Sequence, residues 1–129
     1  MTTGIARRTL GLAAAGLALP AIARAQGADM AGRTIEWIVP FPPGGGTDTW
    51  ARFHYPFLQR HMRGQPTIVI RNVPGAGGLT GTNQFAARAQ PDGLMFLATT
   101  ASIQFPFLLG DRRVRYDYAA WTPLVAGPT

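Results

Sequence analysis

Two glycine-rich stretches hold most of the residues that could bind something, Phe41-Pro-Pro-Gly-Gly-Gly-Thr-Asp48 and Asn72-Val-Pro-Gly-Ala-Gly-Gly78. Glycine loops that open helices suit anions for two reasons. Without a Cβ the backbone amides approach a ligand closely, and a helix start adds unpaired N–H groups and the positive end of the dipole. Two such ends facing one crevice hold a carboxylate without lysine or arginine. The candidate ligand-binding residues are therefore Phe41, Pro43, Gly44, Gly45, Gly46, Thr47 and Asp48 in the first loop. Pro74, Gly75, Ala76, Gly77 and Gly78 are the candidates in the second. Thr99, Thr100 and Ser102, in a polar stretch further on, would add hydroxyls. Asp48 repels an anion directly, so its expected roles are to orient a bridging water, to accept from a ligand donor, or to cap the following helix.

Other chemistries find little support. Ser102 is the only serine and sits in no nucleophile elbow. Lysine and cysteine are absent, which removes the Walker motif, thiolate metal sites, disulfides and the common covalent nucleophiles. His54 and His61 lie seven residues apart, roughly 10 Å along a helix, too far to share one metal. No catalytic residue, metal or cofactor is expected. The first loop lacks the spaced glycines of a dinucleotide fingerprint, and Arg71 stands where an acid would end the second strand. A phosphate- or nucleotide-binding enzyme fragment is the alternative among catalytic readings. Arg112, Arg113 and Arg115 beside Tyr116 and Tyr118 read as a solvated charged loop, and no nucleic-acid partner is expected.

The elements that must position these loops alternate strand and helix. Thr34 to Val39 is a β-branched and aromatic run ending at Pro40. Trp50, Phe53, Phe57, Leu58 and His61 then recur at helical spacing, with Thr47 or Asp48 at the cap and a kink expected at Pro56. A second strand over 66–70, a second helix over 79–89, a turn at Pro91-Asp92-Gly93 and a third strand over 94–98 follow. Residues 99–104 read as a polar loop, 105–109 as a short helix, 111–118 as an exposed connection, and Leu124-Val125 as strand-like. Strands separated by helices of this length predict right-handed βαβ crossovers and an α/β fold with a mostly parallel sheet. Ligands collect at the carboxyl ends of strands in such sheets, and all three unusual loops fall at that edge.

The ends of the chain add a compartment. Arg7-Arg8, an apolar run from Thr9 to Ala23, and Ala23-Arg24-Ala25 have the layout of a secretory signal over residues 1–25, cleaved near Ala25. The paired arginines also fit a twin-arginine signal. The run is shorter than the roughly 20 residues of a membrane-spanning helix. Beyond it, nine arginines face six acids, about +3, which says little about a polyanion partner. About 104 residues remain, enough for one modest core.

The motif Trp37-Ile-Val-Pro-Phe-Pro-Pro-Gly-Gly-Gly-Thr-Asp48, then Asn72-Val-Pro-Gly-Ala-Gly-Gly78, Pro91-Asp-Gly93 and Trp121-Thr-Pro-Leu-Val125, resembles the substrate-binding receptors of tripartite tricarboxylate transporters. The resemblance runs from about Arg33 onward. It implies a periplasmic-binding-protein-like lobe over residues 26–129, one of two α/β lobes that close on a solute, with the second lobe missing from this chain. It also implies a periplasmic protein whose partners are a small carboxylate solute and a membrane permease of a large and a small integral subunit. The two glycine loops would touch the ligand, with water-mediated carboxylate binding, and Thr99 to Ser102 would line the cleft. Pro56 and Arg71 depart from the family pattern. A solute sensor docking to a membrane signalling protein needs the same cleft, so the residues leave transport and sensing both open.

Overall fold

The computed structural model describes residues 29–126; the signal segment expected over 1–25 lies outside the described residues. Strand β1 spans Thr34–Val39, helix α1 Gly46–His61, strand β2 Thr67–Asn72, helix α2 Leu79–Arg88, strand β3 Met95–Leu97 and helix α3 Ala101–Leu108. Single 3₁₀ turns occupy Ala76–Gly78 and Tyr118–Ala120. The sheet order is β2-β1-β3, and both pairings are parallel. The α/β expectation is met, with every strand pointing the same way.

β1 is the central strand, apolar along one face and carrying Thr34, Glu36 and Ile38 on the other. Ile35, Trp37 and Val39 point to one face and pack with Ala51 of α1, Ile68 and Ala98. Ile38 points to the other and is fully buried. Ile35, Ile38 and Val39, all with no exposed surface, contribute about 1.5–3 kcal/mol each by leaving water. A second cluster joins Leu79 of α2, Ile103 of α3 and Tyr116, with Leu97, Phe107 and Trp121 against it. Connections that step from β1 to β2 and back across β1 to β3 put their helices on opposite faces when both crossovers are right-handed. The Glu36 carboxylate, on the face away from α1, accordingly accepts from Arg88 of α2 at 3.1 Å and from Arg71 of β2 at 3.0 Å. Arg71 thus has a local partner. The pairs are half-exposed, so they add little stability.

Several elements differ from the sequence expectation. α1 runs through Pro56 to His61 as one helix. Trp50 and Tyr55 before the proline and Leu58 and Met62 after it all pack on the same core. That shared burial outweighs the roughly 3 kcal/mol that an interior proline costs. The cap of α1 is Gly45, neither Thr47 nor Asp48. β2 starts at Thr67 and continues through Arg71 and Asn72, because the ladder to Ile38 and Val39 continues that far. α3 begins at Ala101, four residues before the expected Phe105, since burying Ile103 holds its first turn down. The connection over 111–118 is not wholly exposed: Tyr116 is buried, stacks on Trp121 with ring centroids 5.3 Å apart, and donates its hydroxyl to the Ile103 carbonyl. Leu124 and Val125 form no strand.

Candidate functional site

Parallel strands bring the three loops to one edge, and one buried carboxylate ties two of them together. Asp48, 2% exposed, is the third residue of α1. Its Oδ2 accepts from the Gly44 amide at 2.8 Å and from Arg52 Nε at 2.9 Å. Its Oδ1 accepts from Asn72 Nδ2 at 2.9 Å, and the same nitrogen donates to the Phe41 carbonyl at 3.0 Å. Arg52 closes the ring by donating to Asn72 Oδ1 at 3.1 Å. The Arg52 guanidinium, then the Gly44 amide, hold the Asp48 carboxyl down at about 2 although burial opposes them. Asp48 is not the cap of α1, which is Gly45; its two oxygens position the first loop through Gly44, Arg52 and Asn72. Asn72, which the sequence places at the start of a loop, is its partner on the end of β2.

α2 reaches the edge through glycines at close approach. A Cβ on Gly78, whose φ is +99°, would stand 3.0 Å from Ile103 Cγ2 and 3.1 Å from Phe41 Cζ. The three loops therefore meet at Gly78, where a side chain would press on Ile103 and Phe41. Gly81 lets α2 lie on the first two loops, since a Cβ there would be 2.6 Å from the Val73 carbonyl. The first amides of α2 are already used: Gly78 and Thr80 donate to the Gly75 carbonyl, at 3.0 and 3.4 Å, and Leu79 donates to Ala76.

A groove of about 910 Å³ opens at the same edge. Gly46 and Thr47 at the start of α1 and Thr99, Thr100 and Ala101 at the start of α3 line it together at the polar end, its mouth. Neither Gly45 nor Thr100, the two caps, makes a side-chain capping bond, so the first amides of both helices are left without a side-chain acceptor. Gln104 Nε2 donates to the Tyr118 hydroxyl at 2.7 Å across the mouth. Below, the walls are apolar: Trp37, Trp50, Leu58, Met62 and Phe96, with Pro123 to Ala126 alongside. No charged side chain lines the groove among the described residues.

Four candidate residues thus share the groove: Gly46, Thr47, Thr99 and Thr100. Ser102 is exposed in the first turn of α3, its hydroxyl 2.8 Å from that of Thr100. Phe41, Pro43, Gly44 and Gly45 lead into α1 without lining the groove, and Phe41 packs on the core. Pro74, Gly75, Ala76 and Gly77 are exposed at the same edge but outside it, and Gly78 is buried. Gln104, Tyr118 and Trp50 join the groove without a motif in the sequence to mark them. The signal for Gln104 is its i+4 relation to Thr100, which counts only once the helix is known to start at Ala101. His54 and His61 each donate Nδ1–H to the carbonyl four residues earlier, at 2.8 and 2.7 Å, which accounts for them within α1. Among the described residues no three His, Asp or Glu cluster as a metal would need. A second hollow, of about 320 Å³ beside Tyr55, Pro56 and Gln59, lies along α1 away from the loops.

Over 91 residues the chain is 43% identical to Protein BugT of Bordetella pertussis, a match that covers 70% of this chain and 26% of BugT. The chain is homologous to the Bug proteins. It is also 38% identical over 74 residues to the UPF0065 protein in the tcbD-tcbE intergenic region of Pseudomonas sp., covering 55% of this chain and 20% of that one. Among solved structures it is similar to periplasmic binding protein BugD, at 42% identity and a TM-score of 0.46, over 51% of this chain and 21% of that chain. A periplasmic transporter matches at 41% identity and 0.45, over 50% and 20%. No family model matches. The chain spans about a quarter of the length of BugT.

Proposed function

We propose that this chain is the first lobe of an extracytoplasmic solute-binding receptor that captures a small carboxylate and hands it to a membrane permease of the tripartite tricarboxylate type. In this reading residues 1–25 are an export signal, cleaved near Ala25, and residues 26–129 form the lobe in the periplasm. The permease has a large and a small integral subunit. The chain binds and releases its solute unchanged; it is not an enzyme.

The observation that carries the reading is the pair of helix starts that line one groove, α1 at Gly46 and α3 at Ala101, neither closed by a capping side chain. Each offers amides and the positive end of a dipole to an anion, and the mouth supplies the Thr47, Thr99 and Thr100 hydroxyls without an arginine. A carboxylate held this way is neutralised by dipoles alone, which suits a protein that must let it go. The exposed second loop, Pro74 to Gly77, stands at the same edge as a further contact when a second lobe closes over the solute. Homology to BugT, and 42% sequence identity to the periplasmic binding protein BugD, support the compartment and the class of work.

Thr47→Val and Thr100→Val test the mouth. Each removes one hydroxyl at constant shape. A hydrogen bond to a charged group is worth about 1.5–3 kcal/mol, so carboxylate affinity measured by calorimetry should fall about tenfold or more. The unfolding midpoint should stay unchanged. Normal affinity in both variants would remove the mouth from the site.

A further inference from the structure

The last turns of α1 and the turn that follows them form the smaller hollow, of about 320 Å³, lined by Tyr55, Pro56, Gln59, Arg60 and Gln65. It shares no lining residue with the large groove. All its lining side chains except Pro56 carry hydrogen-bond donors: the Arg60 guanidinium, the Gln59 and Gln65 amides and the Tyr55 hydroxyl. Among the described residues none of these donors has a hydrogen-bond or ion-pair partner, and no acid lines the hollow. Arg52, Arg71, Arg88 and Arg113 are by contrast each held by a carboxylate.

The turn that places Gln65 is strained. Its φ is +46°, and among the described residues only Ala76 is another non-glycine held in the left-handed region. Gly64 before it has a φ of +83°, and Pro66 after it is fully buried. Glycine or asparagine suits a turn of this hand; glutamine bears the left-handed penalty without the local hydrogen bond that eases it for asparagine. The Gln65 backbone amide donates to the Met62 carbonyl at 3.0 Å, which the amide of any residue but proline would do. The turn itself therefore has no use for this side chain. Residues kept in such conformations cluster at ligand clamps. What glutamine adds is reach, an amide on a side chain long enough to line the hollow.

We infer that this hollow is a second binding site, for a small oxyanion (a carboxylate or a phosphate) clasped by Arg60 and the Gln59 and Gln65 amides, with the Tyr55 hydroxyl as a further donor. The guanidinium offers paired N–H groups to two oxygens of one anion, and the amides complete its shell. A volume near 320 Å³ lies at the lower end of small-molecule sites, which suits an anion of a few heavy atoms. The site does not rest on the receptor reading, and either can fail without the other.

Inorganic phosphate and malonate are each titrated at low ionic strength into the isotope-labelled full chain, with sodium chloride at matched ionic strength as control. Nuclear magnetic resonance follows the side-chain NH₂ signals of Gln59 and Gln65 and the Arg60 Nε–H. These should shift and saturate with phosphate or malonate and stay still in chloride; the anion that saturates first separates phosphate from carboxylate as the natural ligand. Arg60→Gln should weaken binding roughly tenfold or more, because it removes the charged donor. Gln65→Gly should weaken it by a similar factor while the unfolding midpoint holds or rises, since glycine relieves the strain. A purely structural Gln65 would leave affinity alone. Thr47→Val, in the groove, should bind the anion at this hollow as the unaltered chain does. Shifts that climb without saturating, or that chloride reproduces, would overturn the inference. So would full affinity in Arg60→Gln, or a response confined to Thr47 and Thr100.

Discussion

Asp48 spends both carboxylate oxygens on its own protein, on Gly44, Arg52 and Asn72. Its carboxyl lies at about 2 when folded, against an ordinary 3.8. A depressed folded value adds stability that is complete above the ordinary value and is lost as the pH falls through the folded one. Acid denaturation should therefore steepen between about pH 4 and 2. Asp111, held at about 2 by Arg113 at the surface, titrates in the same window. The two separate by salt, because the exposed pair is screened and the buried ring much less. At high salt, Asp48→Asn should flatten most of the slope, as read by urea midpoints across that range; an unchanged slope would contradict the ring. The glycines of the second loop divide in a similar way. Gly78→Ala meets Ile103 and Phe41 at a φ of +99°, whereas Gly77→Ala meets nothing within 4 Å at +67°. Both carry the left-handed penalty of about 1–2 kcal/mol, and only the first should exceed it. Equal losses in a denaturant titration would contradict the convergence of three loops on Gly78.

β1 was legible as an element, because Thr34 to Val39 is branched and aromatic and stops at a proline. The parallel order followed from the helices between strands. What was not legible depended on partners distant in sequence. Asn72 looked like loop because its role is set by Asp48 and Phe41, 24 and 31 residues away. The start of α3 hid in Thr99 to Gln104, a polar run that becomes helical only because Ile103 is buried against the second loop. Pro56 misled for the opposite reason: a strong local rule lost to packing on either side of it. Pro56→Ala restores a helix hydrogen bond to the Arg52 carbonyl and removes the ring, and it should stabilise the chain by up to about 3 kcal/mol. A destabilised variant in a denaturant titration would show that the ring packs usefully where it stands. The candidate loops were legible as places of special backbone, but their division of labour was not. The first and third frame the groove, while the second braces it through Gly78.

At the scale of the molecule, a parallel sheet gathers its loops at one edge, and a charge-free groove opens there between two uncapped helix starts. Homology to BugT covers 70% of this chain and a quarter of that protein, so capture has to be tested on the chain itself. The most direct measurement is a thermal-shift screen of the full chain. The panel holds di- and tricarboxylates, keto acids, amino acids and aromatic acids, with nucleotides and phosphate esters as controls. A ligand at a hundred times its dissociation constant adds about 2.7 kcal/mol to the folded state, a readily visible shift. Stabilisation by one class of carboxylate and by none of the controls is the predicted result. Stabilisation by nucleotides alone, or a flat response from a folded chain, would contradict it.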